Sequence, residues 1–262
     1  SFFIIVLAIS SIFAIYGFMQ FWKIDPINWT TPYNRITLTL GNPNFVGALL
    51  GIFSTLIFAY LLASTYLSMK IFSGLILILL TTIIYLSQAR QGLVTAGLGI
   101  GLVFVIKLWQ LNKKISIITL SVEIFVGILI VLGMLQKGPF VSFIYKDSIS
   151  DRGYNWRAAV QMFKTHPWFG IGLDNFASFY PTYRDSQYPL KYGYVQTVNN
   201  AHNVFLHLLA TGGIFVFLSY LVIIFIVAWR GIVAIRKFEG RVQILISGLV
   251  MAWVAFISQT FI

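Results

Sequence analysis

The chain has 262 residues, of which 58% are hydrophobic and only 10% are charged. Soluble domains average about 25% charged and about 45–50% apolar residues, so this composition excludes an ordinary water-soluble protein. The net charge of +11 largely follows the bias of basic residues toward one side of a membrane, and we expect no nucleic-acid partner. There is no cysteine, and the three histidines are scattered, so disulfides, thiolate chemistry, a metal site and a cofactor are not expected.

Seven apolar runs each approach the roughly 20 residues that a helix needs to cross a bilayer. They predict an all-α, polytopic transmembrane helix bundle. We expect these spans to form a single membrane domain over 1–262. Since the chain begins without Met and stops inside an apolar run, we expect it to be a fragment of a longer protein. The predicted spans are 1–22, 45–67, 71–89, 91–110, 115–135, 203–229 and 243–262.

Basic residues in the short connections predict the orientation. If the spans alternate, these residues fall on one side, which is then the cytoplasm. Segments 23–44 and 136–202 consequently face outward, and 136–202 forms a large extracytoplasmic loop. The basic residues are Lys70, Lys107, Lys113, Lys114, Arg230, Arg236, Lys237 and Arg241.

Three features of the first five spans attract attention. In GNPNF, Asn42 is a candidate cap and Pro43 suits the first position of the second span. Arg90, in SQARQG, lies in a short outward connection, where it is either a turn residue reaching water or an anion ligand. Glu123 falls within the fifth span, and an intramembrane carboxyl is a functional candidate unless it is neutral or paired.

The outer loop is expected to contain an amphipathic helix that lies in the membrane interface. Asp151 is a candidate N-cap, which would place Arg152 in the first turn, where amides and a guanidinium suit a phosphate. The helix should stop near His166-Pro167, with Gly170 and Gly172 supplying a turn. Its predicted apolar face is Trp156, Ala159, Val160 and Phe163, and its polar face is Arg157, Gln161 and Lys164.

Tyrosines and one histidine follow this helix. The tyrosines of 173–200 suit either carbohydrate faces or the membrane interface, and they are Tyr180, Tyr183, Tyr188, Tyr192 and Tyr194. His202, in NNAHN at the outer mouth of the sixth span, is either a proton-transfer group or an ordinary interfacial histidine. His207 would lie about 140° away around the helix, so we interpret it as structural, and His166 as a turn residue.

Five segments, in this order and spacing, resemble the superfamily of O-antigen ligases and O-antigen polymerases. They are GNPNF at 41–45, SQARQG at 87–92, DRGYNWRAA at 151–159, HPWFGIGLDNF at 166–176 and AHNVFLHLLATGG at 201–213. The pair His202-Asn203 followed by Gly213 fits the ligases. An Arg-x-x-x-Leu element of some ligases is absent, because Trp156 and Gln161 stand in the Leu positions, so polymerase activity remains an alternative.

The resemblance implies a metal-independent glycosyltransferase of polysaccharide biosynthesis in the cell envelope, such as that of lipopolysaccharide. It implies an undecaprenyl-diphosphate-linked glycan donor and a glycan, lipid or protein acceptor, with the active site at the outer face of the bacterial plasma membrane. His202, Arg152 and Arg90 are the expected catalytic residues. The expected substrate-binding residues are Arg157, Asn203, Arg184 and Tyr183.

Two other function classes compete with this interpretation. A transporter of a small anion such as bicarbonate should gather polar groups at the midplane in repeated halves, and here they gather in the outer loop, with Glu123 the main exception. A membrane scaffold would not need His202 and the arginines to converge.

Overall fold

The computed structural model describes residues 2–29, 35–134, 137–139, 141 and 147–260, and only the backbone of 147–151. Within these ranges every regular element is a helix, and seven helices are long and apolar enough to span a membrane, which confirms the all-α polytopic fold. The helices are α1 Phe2–Phe21, α2 Pro43–Ala63, α3 Leu67–Leu86, α4 Arg90–Leu111, α5 Lys113–Met134, α6 Asp147–Thr165, α7 Phe176–Tyr183, α8 Gln187–Tyr192, α9 Val204–Lys237 and α10 Gly240–Gln259.

The chain divides into two compact units. The first comprises Ser1–Gly127 and Arg230–Gln259, and the second comprises Ile128–Trp229 and Thr260–Ile262. Part of the predicted outer loop 136–202, namely 136, 140 and 142–146, lies outside the described residues.

Small residues bring α2 and α4 of the first unit into close contact. A Cβ on Gly92 would lie 2.5 Å from the Cα of Gly47, and one on Gly51 would lie 3.0 Å from the carbonyl oxygen of Gly92. Helices in membranes associate largely through such close packing of small residues. Since Gly47 and Gly92 both lie near the start of their helices, α2 and α4 begin at the same end of the unit.

The segments GNPNF at 41–45 and SQARQG at 87–92 lie at that end. The side chain of Asn42 accepts a hydrogen bond from the Asn44 amide at 2.9 Å, and Pro43 takes the first helical position, so the predicted cap of α2 is confirmed. The turn between α3 and α4 is tight, with Gln88 at a φ of 57°. Arg90 then opens α4.

The opposite end of the first unit is basic. The Arg241 side chain donates to the carbonyl of Ala63 at 2.6 Å, which joins the start of α10 to the end of α2. Gln110, near the end of α4, donates to Gln243 at 2.6 Å. Lys113 and Lys114 begin α5 just after Asn112, which ends α4, so the predicted grouping of basic residues at one end is observed in this unit.

The sixth span is longer than predicted. Its helix α9 does not stop at 229 but continues to Lys237. Arg236 and Lys237 lie in the last turn of α9, where a positive charge is stabilised by the negative end of the helix dipole.

In the second unit, α6 packs on an aromatic cluster, but with a face different from the predicted one. Val160 is exposed, whereas Ala159 is buried as predicted, and Trp156 and Phe163 are half-buried. The helix turns a face of small and unbranched side chains toward the cluster, since these allow bulky aromatic rings to approach. The buried face is Asn155, Ala158, Ala159 and Met162, and the cluster is centred on Phe176, Tyr180 and Tyr188.

The loop after α6 is bonded to a kink in α9. The helix α6 ends at Thr165, as predicted, and Gly213 breaks the α9 conformation with a φ of 69°. Three backbone hydrogen bonds join the segments: from Ile171 to Ala210, from Gly172 to Thr211 and from Ile214 to Pro167, at 3.0, 3.0 and 2.9 Å. Because Gly213 interrupts the helix, these backbone groups pair with the loop, which fixes the end of α6 against α9.

Candidate functional site

His202 lies in a tight turn immediately before α9. Its φ is 52°, an uncommon value for a residue other than glycine, which costs roughly 1–3 kcal/mol and persists only where other contacts offset that cost. Two asparagines hold it. The side chain of Asn200 accepts a hydrogen bond from the His202 amide at 2.8 Å, and the side chain of Asn203 caps α9 by accepting from the Leu206 amide at 3.0 Å.

The same turn is anchored from a second direction. The amide of Val204, the first residue of α9, donates to the carbonyl of Thr260 at 2.9 Å. The backbone that carries the imidazole is therefore bonded on both sides of the turn. It lies at the mouth of the sixth span, as the sequence predicts.

Arg152 of α6 lies close enough to His202 for its charge to act on the imidazole. Burial lowers the pKa of His202 below its usual 6.5, and the positive charge of Arg152 lowers it further. Burial also lowers the pKa of the Arg152 guanidinium. Within the part of the chain that the structure describes, Arg152 has no hydrogen bond or ion pair, and the one salt bridge found there joins Arg157 to Asp185.

This pair of groups has a definite chemical capacity. A half-buried guanidinium favours an anion, and its planar donors suit phosphate oxygens. An imidazole with a lowered pKa is neutral near pH 7 and can accept a proton. The pair can therefore bind an anionic group and remove a proton from a neighbouring hydroxyl.

The prediction that Asp151 caps the loop helix is wrong. The helix begins at Asp147, four residues earlier, so Arg152 lies in the second turn. A phosphate at Arg152 would therefore meet the guanidinium rather than the free amides of a helix N-terminus. The segment Asp147-Ser-Ile-Ser-Asp151 contains several residues of capping type, and the helix uses an earlier start.

Arg157 is engaged within the loop. Its Nε donates to the Asp185 carboxylate at 3.0 Å, and its guanidinium lies 4.6 Å from the centre of the Tyr154 ring. These contacts join α6 to the connection between α7 and α8. They give Arg157 a structural role, and its predicted role in substrate binding stays a prediction.

Arg184 and Tyr183 also make contacts within the loop. Arg184 donates to the backbone carbonyls of Gln196 at 2.9 Å and Tyr194 at 3.1 Å, which fixes the segment after α8. The Tyr183 hydroxyl accepts a hydrogen bond from Thr165 at 3.0 Å. Asn203 caps α9, as described above. Substrate contacts by these three residues stay predictions.

The expectation that all five tyrosines face carbohydrate or the membrane interface is wrong for two of them. Tyr180 is completely buried, and Tyr188 nearly so. The Tyr180 hydroxyl donates to the side chain of Asn155 at 3.0 Å, and burial raises the pKa of this phenol. These rings form the loop's own core, because the loop folds on itself. Tyr194 is exposed.

Of the other two histidines, His166 is a turn residue, as predicted, and the structural role predicted for His207 stays a prediction. His166 lies in the turn that ends α6, within 3.0 Å of the Thr165 hydroxyl. The ring of His207 packs 5.4 Å from that of Phe176. The hydrogen bond that the Asn200 side chain accepts from the His202 amide is not among the sequence predictions. An Asn whose side chain bonds the amide two residues later is nevertheless a recognised turn signal.

Arg90 and Glu123 both belong to the first unit. Arg90 is half-buried at the first position of α4. Its predicted membership in one site with Arg152 and His202 stays a prediction. The Glu123 carboxyl of α5 lies directly against Gly101 of α4, and within the described ranges neither of its buried oxygens has a hydrogen-bond partner.

Comparison with known proteins agrees with these features. The profile of the family described as O-antigen ligase matches residues 75–221, which is more than half of the chain. The match covers Arg90, Arg152, the kink at Gly213 and His202. No curated protein sequence matches the chain. The family consists of glycosyltransferase-like membrane enzymes of polysaccharide biosynthesis. This multi-pass membrane protein therefore belongs to the O-antigen ligase family.

Proposed function

We propose that the protein transfers a glycan from an undecaprenyl-diphosphate donor to an acceptor hydroxyl at the outer face of the bacterial plasma membrane. The observation that carries this proposal is the half-buried Arg152, whose positive charge acts on the imidazole of His202. Family membership supports the reaction class. The donor, the acceptor and the side of the membrane are parts of the proposal.

Arg152 is the proposed ligand of the diphosphate. As the bond between the anomeric carbon and the diphosphate breaks, negative charge grows on the leaving oxygen, and a fixed guanidinium stabilises it. Because burial removes water from around Arg152, its attraction for the diphosphate is stronger than that of an exposed arginine. Arg90 is proposed as a second cation for the same diphosphate.

His202 is the proposed base. Its free nitrogen accepts the proton of the acceptor hydroxyl while that oxygen attacks the anomeric carbon, and the diphosphate leaves with the bonding electrons. A single displacement of this kind inverts the anomeric centre. The acceptor is a glycan, lipid or protein hydroxyl. Arg157, Arg184, Tyr183 and Asn203 are proposed to border the substrates.

Removal of the gene, followed by analysis of the surface glycans, tests the function. Loss of the attached glycan with accumulation of long, lipid-linked polymer identifies a ligase. Accumulation of single lipid-linked repeat units identifies the alternative, an O-antigen or surface-polysaccharide polymerase. Unchanged glycans in the deletion strain would contradict both.

A further inference from the structure

Two large aromatic side chains of the outer loop lie outside its hydrophobic core. Trp168 and Phe169 follow α6, and their exposed fractions are 63% and 79%. The loop has a core of its own, in which the rings of Phe176, Tyr180 and Tyr188 are buried. Since the same loop buries other aromatic rings, the exposure of Trp168 and Phe169 indicates a contact with something outside the loop.

These two rings are held against the sixth span. The Trp168 ring stacks on the ring of Phe215, with 6.0 Å between their centres, and the centre of the Phe169 ring lies 5.7 Å from that of Phe215. Phe215 lies on α9 just after the kink at Gly213, and it is also exposed. The three backbone hydrogen bonds between the loop and α9 flank this contact. Trp168, Phe169 and Phe215 therefore form one fixed apolar surface, which we call the aromatic wedge.

The length of α9 places this surface below the edge of the membrane hydrocarbon. Trp229 is exposed near the other end of the helix and is followed by Arg230, a pattern typical of the membrane–water interface. Phe215 lies 14 residues before Trp229, which is about 21 Å along the axis. The hydrocarbon is about 30 Å thick, so Phe215 lies about 9 Å inside its opposite edge. At that depth lipid chains, rather than water, surround exposed side chains.

We propose that the aromatic wedge inserts into the hydrocarbon of the leaflet on the side of His202, so that acyl chains of the bilayer cover Trp168 and Phe169. The insertion anchors the loop to the lipid surface through apolar contact, and it follows from the depth of Phe215 on α9.

The wedge also sets the depth of the candidate site. Val204, the first residue of α9, lies at most about 17 Å from Phe215 along the helix, and hence no more than about 8 Å beyond the hydrocarbon. That is the level of the lipid head groups, and His202 is two residues earlier. The wedge thus holds the site where the diphosphate of a membrane lipid is presented. This consequence rests on the proposed function, whereas the insertion itself does not.

Spin labels on single cysteines of the full-length protein test the insertion. Residues 1–262 contain no cysteine, so an introduced one reports on a single position. Phe169→Cys reports on the wedge, Phe225→Cys on an exposed position of the span, and Val195→Cys on an exposed apolar position of the loop. In phosphatidylcholine vesicles, collisions with oxygen mark hydrocarbon, and collisions with nickel ethylenediaminediacetate mark water.

We expect the ratio of oxygen to nickel collisions at position 169 to exceed that at position 195 by at least about fivefold, and to approach that at position 225. A ratio at position 169 equal to that at position 195 would overturn the proposal. Protection of position 169 from both reagents would also overturn it, because protein rather than lipid would then cover the ring.

Glycan transfer separates this inference from the proposed function. If the label at position 169 lies in hydrocarbon but the unmutated protein transfers no glycan, the proposed function fails and the insertion stands. If the protein transfers glycan while that label lies in water, the insertion fails alone. Phe169→Asp, which puts a charge in the hydrocarbon, should reduce transfer at least about fivefold, whereas the apolar Phe169→Leu should stay within about twofold. Equal transfer by these two variants would contradict the role of the wedge in setting the depth of the site.

Discussion

Arg152 of α6 lowers the pKa of His202, the residue two positions before α9, through its positive charge. Two residues that are 50 positions apart in the sequence thus influence the protonation of one imidazole. Because the pKa is lowered, the neutral imidazole, which can act as a base, predominates near neutral pH.

The first prediction concerns pH. Because both burial and Arg152 lower the pKa of His202, the acidic limb of kcat/KM should lie below pH 6.5, and activity should fall as pH decreases through it. Arg152→Gln removes the charge but not the burial, so the pKa should rise toward its usual value. Titration of the histidine signals by NMR measures this directly, with His202→Gln assigning the signal. An unchanged His202 titration in Arg152→Gln would show that the two groups do not interact.

The second prediction separates two arginines of the same helix. Arg152→Ala should reduce glycan transfer by at least about 100-fold, since it removes a cation proposed to stabilise the leaving group. Arg157→Ala should change transfer only a few-fold and stability by less than about 1 kcal/mol, because the Arg157 side chain in its pair with Asp185 is exposed to solvent. Activity assays and thermal unfolding of both proteins check this. Equal losses of activity would show that Arg157 contributes as much to transfer as Arg152 and does more than border the substrates.

The third prediction tests the cap at Asn203. Asn203→Ala should destabilise the protein by about 1 kcal/mol, whereas Asn203→Asp keeps the capping oxygen and should remain close to the original stability. Thermal unfolding measures this difference. If the Asp variant is stable but inactive, the Asn203 amide group also contacts substrate. Unchanged stability in the Ala variant would contradict the capping role.

Gly170 and Gly213 provide the fourth prediction. Each has a positive φ, and a Cβ on either would collide with backbone of the facing segment. Alanine at either position should therefore lower the unfolding temperature strongly and reduce transfer, because the contact between the loop and α9 positions Arg152 relative to His202. Gly97→Ala is the matched control, since its Cβ would meet nothing within 4 Å. Equal behaviour of the three variants would be inconsistent with this tight contact.

Features that depend on neighbouring residues could be predicted from the sequence, and features that depend on how distant segments pack could not. The seven spans and the cap at Asn42 were predictable, because hydropathy over a span and capping by a neighbouring residue are local properties. The start of α6 was misplaced because several capping residues precede Arg152. The pairing of Arg157 with Asp185 and the burial of Tyr180 depend on how the loop folds on itself, and spacing along the chain does not encode that.

The central claim is tested most directly by comparing two histidines of the same region in the strain that lacks the gene. His202→Ala should insert normally yet fail to restore the surface glycan, since loss of a general base costs about 10²–10⁴-fold in rate. His207→Phe, which keeps a ring against Phe176, should restore it. Full restoration of the glycan by His202→Ala would contradict the account.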